Sequence, residues 1–211
     1  MNEEPPTREV TLLYAWREGD RSAGDELMRT YYPQVMGFFR LRVPTAADDL
    51  TQRTFLACTE ARDRVRASTF RAYLFGIARR LLAKHLADDR RADELSTISA
   101  VAPQSLLSPS RVVAARQEHW LLLRALEGMP QEQQLGLVLF YVQGLRAREV
   151  AEVLEVSTTT VTTRLSRARE ALRDRVAALR APARIREAVL GDLDGWVRSI
   201  GALALDNAHD R

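Results

Sequence analysis

Residues 144–173 restrict the fold of this chain more than any other segment, because they have the pattern of two short amphipathic helices joined by a tight turn. In the second helix the apolar residues recur at helical spacing and are predicted to share one buried face; they are Val161, Leu165, Ala168 and Leu172. Ser157 precedes this helix and is its predicted N-cap. The segment therefore predicts a helix-turn-helix.

The opposite face of the second helix carries Thr160, Thr163, Arg164 and Arg167. Arginine can donate two hydrogen bonds to one guanine edge, and threonine offers a hydroxyl and a methyl group. We predict that this face enters a DNA major groove. The alternative interpretation is a pair of packed helices with a solvated charged face and no role in DNA binding.

Positive charge is concentrated in two separate segments. Residues 61–91 hold nine Lys or Arg residues against three Asp residues, and residues 159–184 hold seven Arg residues against one Glu and one Asp. The whole chain carries a formal net charge of only +3. Because each Lys or Arg that neutralises a phosphate releases condensed counterions, the two basic segments predict two contacts with a polyanion.

The composition excludes several classes of protein. Cys58 is the only cysteine, which excludes an internal disulfide and a cysteine-based zinc site. No apolar run approaches the roughly 20 residues that cross a bilayer, and the N-terminus lacks the features of a signal peptide, so we expect a cytoplasmic protein without membrane insertion. No pattern indicates a cofactor, a metal site or a catalytic centre, and we expect no enzymatic activity. His119 and His209 are expected to have surface or capping roles.

Helical periodicity runs through nearly the whole chain, without the alternation of β-strands, and predicts an all-α protein. Two small helical domains are expected at 10–91 and 112–180, joined by a flexible linker at 92–111 that is rich in serine and proline. A short helical extension follows at 181–211, and its apolar face needs a neighbouring surface to cover it. The helices predicted in the first domain lie near 10–18, 21–43, 46–62 and 69–89.

Three motifs in a fixed order resemble the extracytoplasmic-function (ECF) sigma factors of bacterial RNA polymerase, in the sigma-70 superfamily. Asp48–Leu56, DDLTQRTFL, is similar to the core-binding segment of that family. Tyr73–Leu86, YLFGIARRLLAKHL, is similar to its promoter-melting helix, and Met129–Arg173 is similar to its upstream-element domain. The resemblance implies sigma region 2 in the first domain and sigma region 4 in the second.

The resemblance also implies a function and its residues. It implies a transcription initiation factor that gives the polymerase promoter specificity and assists promoter melting. The implied partners are the clamp helices and flap of the polymerase core, promoter DNA, and an anti-sigma factor of the kind that often holds family members closed. The implied core-binding residues are Asp48, Asp49, Gln52, Phe55 and Leu56. The implied downstream DNA contacts are Arg64, Arg66, Ser68, Thr69, Tyr73, Arg79, Arg80 and Lys84, and the upstream contacts are Ser157, Thr159, Thr160, Thr163, Arg164 and Arg167.

The chain departs from the family pattern at a few positions. Arg80 stands where the family usually has Asn, and Lys84 stands where an acidic residue is frequent. Glu155 stands in the helix-turn-helix turn where Gly is common, so we expect strain if the backbone there is left-handed. Two other functional classes remain open from the residues alone: an autonomous helix-turn-helix regulator, and a helical protein-interaction module that does not bind DNA.

Overall fold

The structure is a computed structural model that describes residues 8–64, 70–95 and 116–206. Within these ranges the chain forms helices and no β-strand, which confirms the predicted all-α class. No helix there combines the length and the apolar character that a bilayer crossing requires. The α-helices are α1 (Arg8–Arg17), α2 (Arg21–Arg40), α3 (Ala47–Glu60), α4 (Phe70–Leu95), α5 (Gln117–Glu127), α6 (Gln131–Leu137), α7 (Ala147–Leu154), α8 (Thr158–Ala178), α9 (Ala183–Gly191) and α10 (Leu193–Asp206).

Helices α1 to α4, the N-terminal block, surround a core of aromatic side chains. The Asp20 carboxylate caps α2, because it accepts hydrogen bonds from the backbone N–H groups of Ser22 at 2.8 Å and Ala23 at 3.2 Å. Phe38 of α2 is fully buried and packs edge-on against Phe75 of α4, with 5.7 Å between ring centroids. Helices α1 to α3 end within about three residues of their predicted bounds, whereas α4 continues to Leu95, beyond the predicted end near 89 and into the segment predicted as linker.

Helices α5 to α10, the C-terminal block, contain the helix-turn-helix. All four residues of the predicted apolar stripe of α8 are buried: Val161, Leu165, Ala168 and Leu172. Helix α7 packs against α8, and α6 packs against both α8 and a π-helical turn at Val138–Val142. Gly144, with φ of 65°, ends that turn and allows the chain to enter α7.

The C-terminal extension is covered by both blocks. Five of its apolar residues are at most 3% exposed: Ile185 and Val189 of α9, and Leu193, Val197 and Ile200 of α10. Helix α9 packs against α5 and α8, while α10 packs against α5, the π-helical turn and α2 of the N-terminal block. The predicted need for a covering surface is thus met, and α10 bridges the two blocks.

The two blocks also contact each other directly, because α7 packs along α4. Arg71 of α4 donates a hydrogen bond from Nη2 to the Gln143 carbonyl at 2.6 Å. Arg42, just after α2, donates from Nη1 to Gln134 Oε1 at 2.6 Å. These contacts turn the surface of α4 towards the helix-turn-helix.

Candidate nucleic-acid interface

The N-terminus of α8 is organised by hydroxyl groups. Ser157 has an extended backbone, and its Oγ accepts a hydrogen bond from the Thr160 N–H at 3.1 Å, which confirms the predicted N-cap. The Thr163 hydroxyl donates to the Thr159 carbonyl at 3.0 Å. Because its proton is used in this way, Thr163 offers an external ligand its oxygen lone pairs rather than a donor.

The predicted DNA contacts of α8 lie on one open face. Thr159, Thr163, Arg164 and Arg167 are exposed, and Thr160 is half-buried. The guanidinium of Arg164 lies 3.8 Å from a carboxylate oxygen of Glu132 in α6. Both side chains are exposed, so this ion pair is weak and a phosphate or a base edge can replace it.

The arginines further along α8 bind the protein itself. Arg169 contacts Tyr141 and Asp194, and the hydrogen bond to Tyr141, followed by the charge of Asp194, raises the Arg169 pKa. Arg173 donates to the Leu190 carbonyl at 3.4 Å, and Arg175 donates from Nε to the Ala125 carbonyl at 3.1 Å. In the basic segment 159–184, Arg164 and Arg167 therefore face outward, whereas Arg169, Arg173 and Arg175 hold α8 against the C-terminal extension and α5.

Glu155 ends α7 with a left-handed backbone, at φ 58° and ψ 42°. Among the described residues it is the one non-glycine position with positive φ. A glycine adopts this conformation freely, whereas a residue with a Cβ atom is strained by about 1 kcal/mol. The strain expected from the sequence is therefore present.

The basic face of α4 points towards Glu155. A single carboxylate oxygen, Glu155 Oε1, lies 3.0 Å from Arg79 Nη2 and 3.7 Å from Arg80 Nη1. The Arg79 side chain is 26% exposed and that of Arg80 is 60% exposed, and Lys84 is exposed further along the helix. Three basic residues among the predicted downstream contacts thus share α4, and Glu155 of the helix-turn-helix contacts two of them.

The other predicted downstream contacts are only partly described. Tyr73 is half-buried on α4. Arg64 ends a 3₁₀ turn at Arg62–Arg64, but its side chain lies outside the described part of the chain. The remaining predicted contacts, Arg66, Ser68 and Thr69, lie outside the described residues.

Helix α3 has one buried and one exposed face. Asp48, Asp49 and Gln52 are all exposed, as the predicted core-binding role requires. Asp49 pairs with Arg53 one turn later, at 3.0 Å. Leu56 is 60% exposed beside these polar groups.

An aromatic pair extends this exposed face of α3 towards α2. Phe55 is half-buried and stacks on Tyr32 of α2, with 5.7 Å between ring centroids and 19° between ring planes. Tyr32 itself is 41% exposed. The sequence analysis did not select Tyr32, because nothing in the local pattern of α2 shows which helix it faces.

Arg42 and Arg71, which join the two blocks, were also missed by the sequence analysis. Arg42 is partly buried, and this burial lowers its pKa to about 10. Its partner Gln134 is buried and donates in turn from Nε2 to the Met129 carbonyl at 2.8 Å. Partners so far apart along the chain leave no local sequence signal.

The expectation of a surface or capping role for His119 is wrong, because the residue is 8% exposed. Its ring packs edge-on against Trp196 of α10, with 5.0 Å between ring centroids. Burial, followed by the nearby charge of Arg116, lowers the His119 pKa. The sequence could not show that α10 returns to cover α5. His209 lies outside the described residues.

Comparison with known proteins identifies the family. The family model for sigma-70 region 2 matches residues 27–92, and the model for sigma-70 region 4 matches residues 119–172. The ECF RNA polymerase sigma factor SigD of Mycobacterium bovis is 33% identical over 175 residues, which are 76% of this chain and 80% of that relative. The chain belongs to the ECF sigma factors.

Another relative and two solved structures support the same family assignment. The ECF RNA polymerase sigma-E factor of Escherichia coli K12 is 25% identical over 179 residues, which are 80% of this chain and 94% of that relative. The structure of CnrH in complex with the cytosolic domain of CnrY has a TM-score of 0.59 at 25% identity, covering 81% of this chain and 98% of that one. The sigma factor RpoE in complex with the anti-sigma factor NepR, from Bartonella quintana, shares the fold, with a TM-score of 0.56 at 21% identity, covering 74% of this chain and 98% of that one.

Membership of this family confirms the resemblance and the function that it implies. The sigma factor is a transcription initiation factor with DNA-binding and promoter-recognition regions. The autonomous helix-turn-helix regulator is not favoured, because it leaves the region 2 match at 27–92 without a role. The region 2 match falls mainly in the N-terminal block, and the region 4 match falls in the C-terminal block.

Proposed function

We propose that this sigma factor binds core RNA polymerase through α3 and reads promoter DNA through α4 and α8. The observation that carries the proposal is the presence in one chain of a region 2 match followed by a region 4 match. The proposed domains are 10–91 and 112–180, with 92–111 as the linker between them. The chemistry of RNA synthesis belongs to the polymerase, in the cytoplasm, and the sigma factor supplies the specificity.

The exposed face of α3 suits a basic helical partner such as the clamp helices of the polymerase. Asp48 and Asp49 provide negative charge, and the exposed ion pair of Asp49 with Arg53 is weak enough to be exchanged for one with the partner. Burial of Leu56 in the interface would contribute roughly 1.5–3 kcal/mol. Gln52 and Phe55 complete the proposed contact surface.

The N-terminal half of α8 is the proposed reader of the upstream promoter element. Recognition helices contact base edges mainly through their first turns, where Thr159, Thr160, Thr163 and Arg164 lie. Arg167, one turn further, is placed to contact a base edge or a phosphate. The hydroxyl of Ser157 caps one backbone N–H group, that of Thr160. The rest of the first turn of α8 can approach a phosphate.

Helix α4 and the loop before it are the proposed site of strand separation. Extruding a base from a duplex costs a few kcal/mol, which hydrogen bonds and aromatic contacts to the extruded base must offset. We assign this role to the loop residues Arg64, Arg66, Ser68 and Thr69 together with Tyr73. The guanidinium groups of Arg79 and Arg80 and the ammonium group of Lys84 then hold the phosphates.

Joint attachment to the polymerase explains how weak contacts give promoter specificity. Each domain alone is expected to bind DNA poorly. When both are held on one enzyme, the second contact becomes effectively intramolecular, and its effective concentration reaches the millimolar range. The two sites must then lie at a fixed separation on the promoter.

We further propose an anti-sigma factor as a partner of this chain. The solved structure of RpoE is a complex with the anti-sigma factor NepR, and that of CnrH is a complex with the cytosolic domain of CnrY. Co-elution with core polymerase tests the main proposal, together with gel shifts on promoter DNA with and without polymerase. We expect co-elution and a polymerase-dependent shift; an equal shift without polymerase would contradict the proposal.

A further inference from the structure

The turn of the helix-turn-helix in region 4 contacts two arginines of region 2 to which we assign a role in DNA binding. One oxygen of Glu155 lies 3.0 Å from Arg79 Nη2 and 3.7 Å from Arg80 Nη1. A carboxylate oxygen and a phosphate oxygen accept the same charge-assisted hydrogen bonds from a guanidinium group. In this conformation Glu155 therefore makes the contacts to Arg79 and Arg80 that our proposal assigns to a DNA phosphate.

Other contacts support the same closed arrangement. Arg71 donates a hydrogen bond to the Gln143 carbonyl at 2.6 Å, about two turns before Arg79 on the same helix. At the other end of the interface, Leu41 of the N-terminal block lines one small cavity with Val197 and Ile200 of α10. Closure therefore involves the C-terminal extension as well as the helix-turn-helix.

The closed arrangement leaves the arginines incompletely satisfied. The Nε atoms of Arg71 and Arg79 are buried and have no hydrogen-bond partner among the described residues. A buried donor without an acceptor favours release when a better acceptor arrives.

We propose that Glu155 acts as an intramolecular substitute for DNA phosphate, which keeps the free sigma factor closed by occupying Arg79 and Arg80 until polymerase and promoter DNA displace it. This inference rests on the proposed DNA-binding role of α4. The Glu155 side chain is 64% exposed, so salt screens its attraction to the arginines and the contact is reversible. Recognition helix α8 stays open in the closed state, and only region 2 is masked.

Two substitutions separate the charge of Glu155 from its backbone strain. Glu155→Gln removes the charge and retains the strain, while Glu155→Gly removes both and suits the left-handed backbone. Both variants are expected to fold, which thermal unfolding checks. Glu187→Gln is the matched control, because it removes one exposed carboxylate from α9, remote in sequence from the interface.

The first measurement is the distance between the blocks in the full chain without polymerase. Spin labels on Glu60→Cys in α3 and Glu170→Cys in α8 report this distance by pulsed electron paramagnetic resonance, since both positions are exposed. Cys58 can stay in place, because it is fully buried and burial raises its pKa to about 12. We expect one short distance in the unsubstituted chain and in Glu187→Gln, and an additional longer distance in both Glu155 variants.

The second measurement is binding of a single-stranded oligonucleotide by fluorescence anisotropy at several salt concentrations. Both Glu155 variants should bind about threefold more tightly at low salt, the size expected for the loss of two exposed ion pairs. If Arg79 and Arg80, released from Glu155, neutralise two more phosphates, the association constant should depend more steeply on salt. The slope of its logarithm against the logarithm of the salt concentration should steepen by up to about 1.4. Glu187→Gln should change neither quantity by a comparable amount.

The outcomes distinguish this inference from the proposed function. If both Glu155 variants match Glu187→Gln in distance and in oligonucleotide binding, the inference is overturned, even when the unsubstituted chain supports transcription. If the Glu155 variants open and bind more tightly, the inference stands. Failure of every variant to direct transcription with core polymerase would then count against the proposed function alone.

Discussion

His119 Nε2 lies 2.8 Å from Ser199 Oγ and joins α5 of region 4 to the C-terminal helix α10. The Ser199 hydroxyl donates its proton to the Trp196 carbonyl at 2.7 Å, so Ser199 Oγ accepts from the Nε2–H group of His119. The Nδ1 atom of His119 is buried without a partner among the described residues. Protonation of His119 would therefore bury a second N–H group that no described residue accepts.

We predict that the free energy of unfolding falls as the pH is lowered from about 7 to about 5, and that it falls less in His119→Gln. The folded-state pKa of His119 lies below its ordinary value, so the unfolded chain takes up more protons in this range. The stabilisation is complete above roughly pH 6.5 and is lost as the pH falls towards the folded-state pKa. Urea unfolding measures this, and equal pH dependence in the two proteins would contradict the prediction.

We predict that Ile200→Ala lowers the free energy of unfolding by about 2–5 kcal/mol. Ile200 is 1% exposed and meets Val197 and Leu41 at the cavity between the blocks, so truncation removes apolar contacts on both sides. Ala202→Ser on the exposed side of the same helix is the control and should change stability by no more than about 0.5 kcal/mol. Equal unfolding temperatures for the two variants would contradict the prediction that Ile200 of α10 stabilises the fold.

The periodic parts of this fold were predictable from the sequence. The apolar stripe of α8 and the Ser157 cap follow from local rules of helix geometry, and the structure has both. The exposed acidic face of α3 follows in the same way. Local rules suffice here because each feature involves residues only a few positions apart.

The contacts between distant helices were not predictable. The summed charge of 159–184 predicted a contact with a polyanion, but three arginines of this segment bind the protein itself: Arg169 binds α10, Arg173 binds α9 and Arg175 binds α5. The closure of Glu155 on α4 depends on how two blocks pack, and no local periodicity encodes that arrangement. The helices could therefore be predicted from the sequence, whereas the packing between the two blocks could not.

We predict that the double substitution Asp49→Lys with Gln52→Ala reduces retention of core polymerase at least about tenfold. The change replaces a carboxylate by an ammonium group at the centre of the exposed α3 face, opposite a partner expected to be basic, and like charges there are costly. Pulldown with immobilised polymerase measures retention. Glu60→Gln at the end of α3 is the control, and unchanged retention of the double variant would refute the assigned surface.

We predict that Arg164→Ala weakens binding to the upstream promoter element by about 1–3 kcal/mol and relaxes the preference at one base pair. Arg164 lies in the exposed N-terminal half of α8, where its competing contact among the described residues is a loose ion pair to Glu132. Arg169→Ala is the control, because that guanidinium already binds Asp194 and Tyr141. The measurement is the affinity of polymerase holoenzyme for a set of single-base promoter variants. A uniform loss of affinity across all sequences would indicate a phosphate contact instead.

Run-off transcription with purified core polymerase on a genomic promoter library tests most directly the claim that this chain confers promoter specificity. We expect transcripts that require both the chain and the polymerase, that begin at a shared distance from a common upstream element, and that disappear with the double substitution in α3. If the full-length chain neither joins the polymerase nor yields a transcript at any ionic strength, the claim is contradicted.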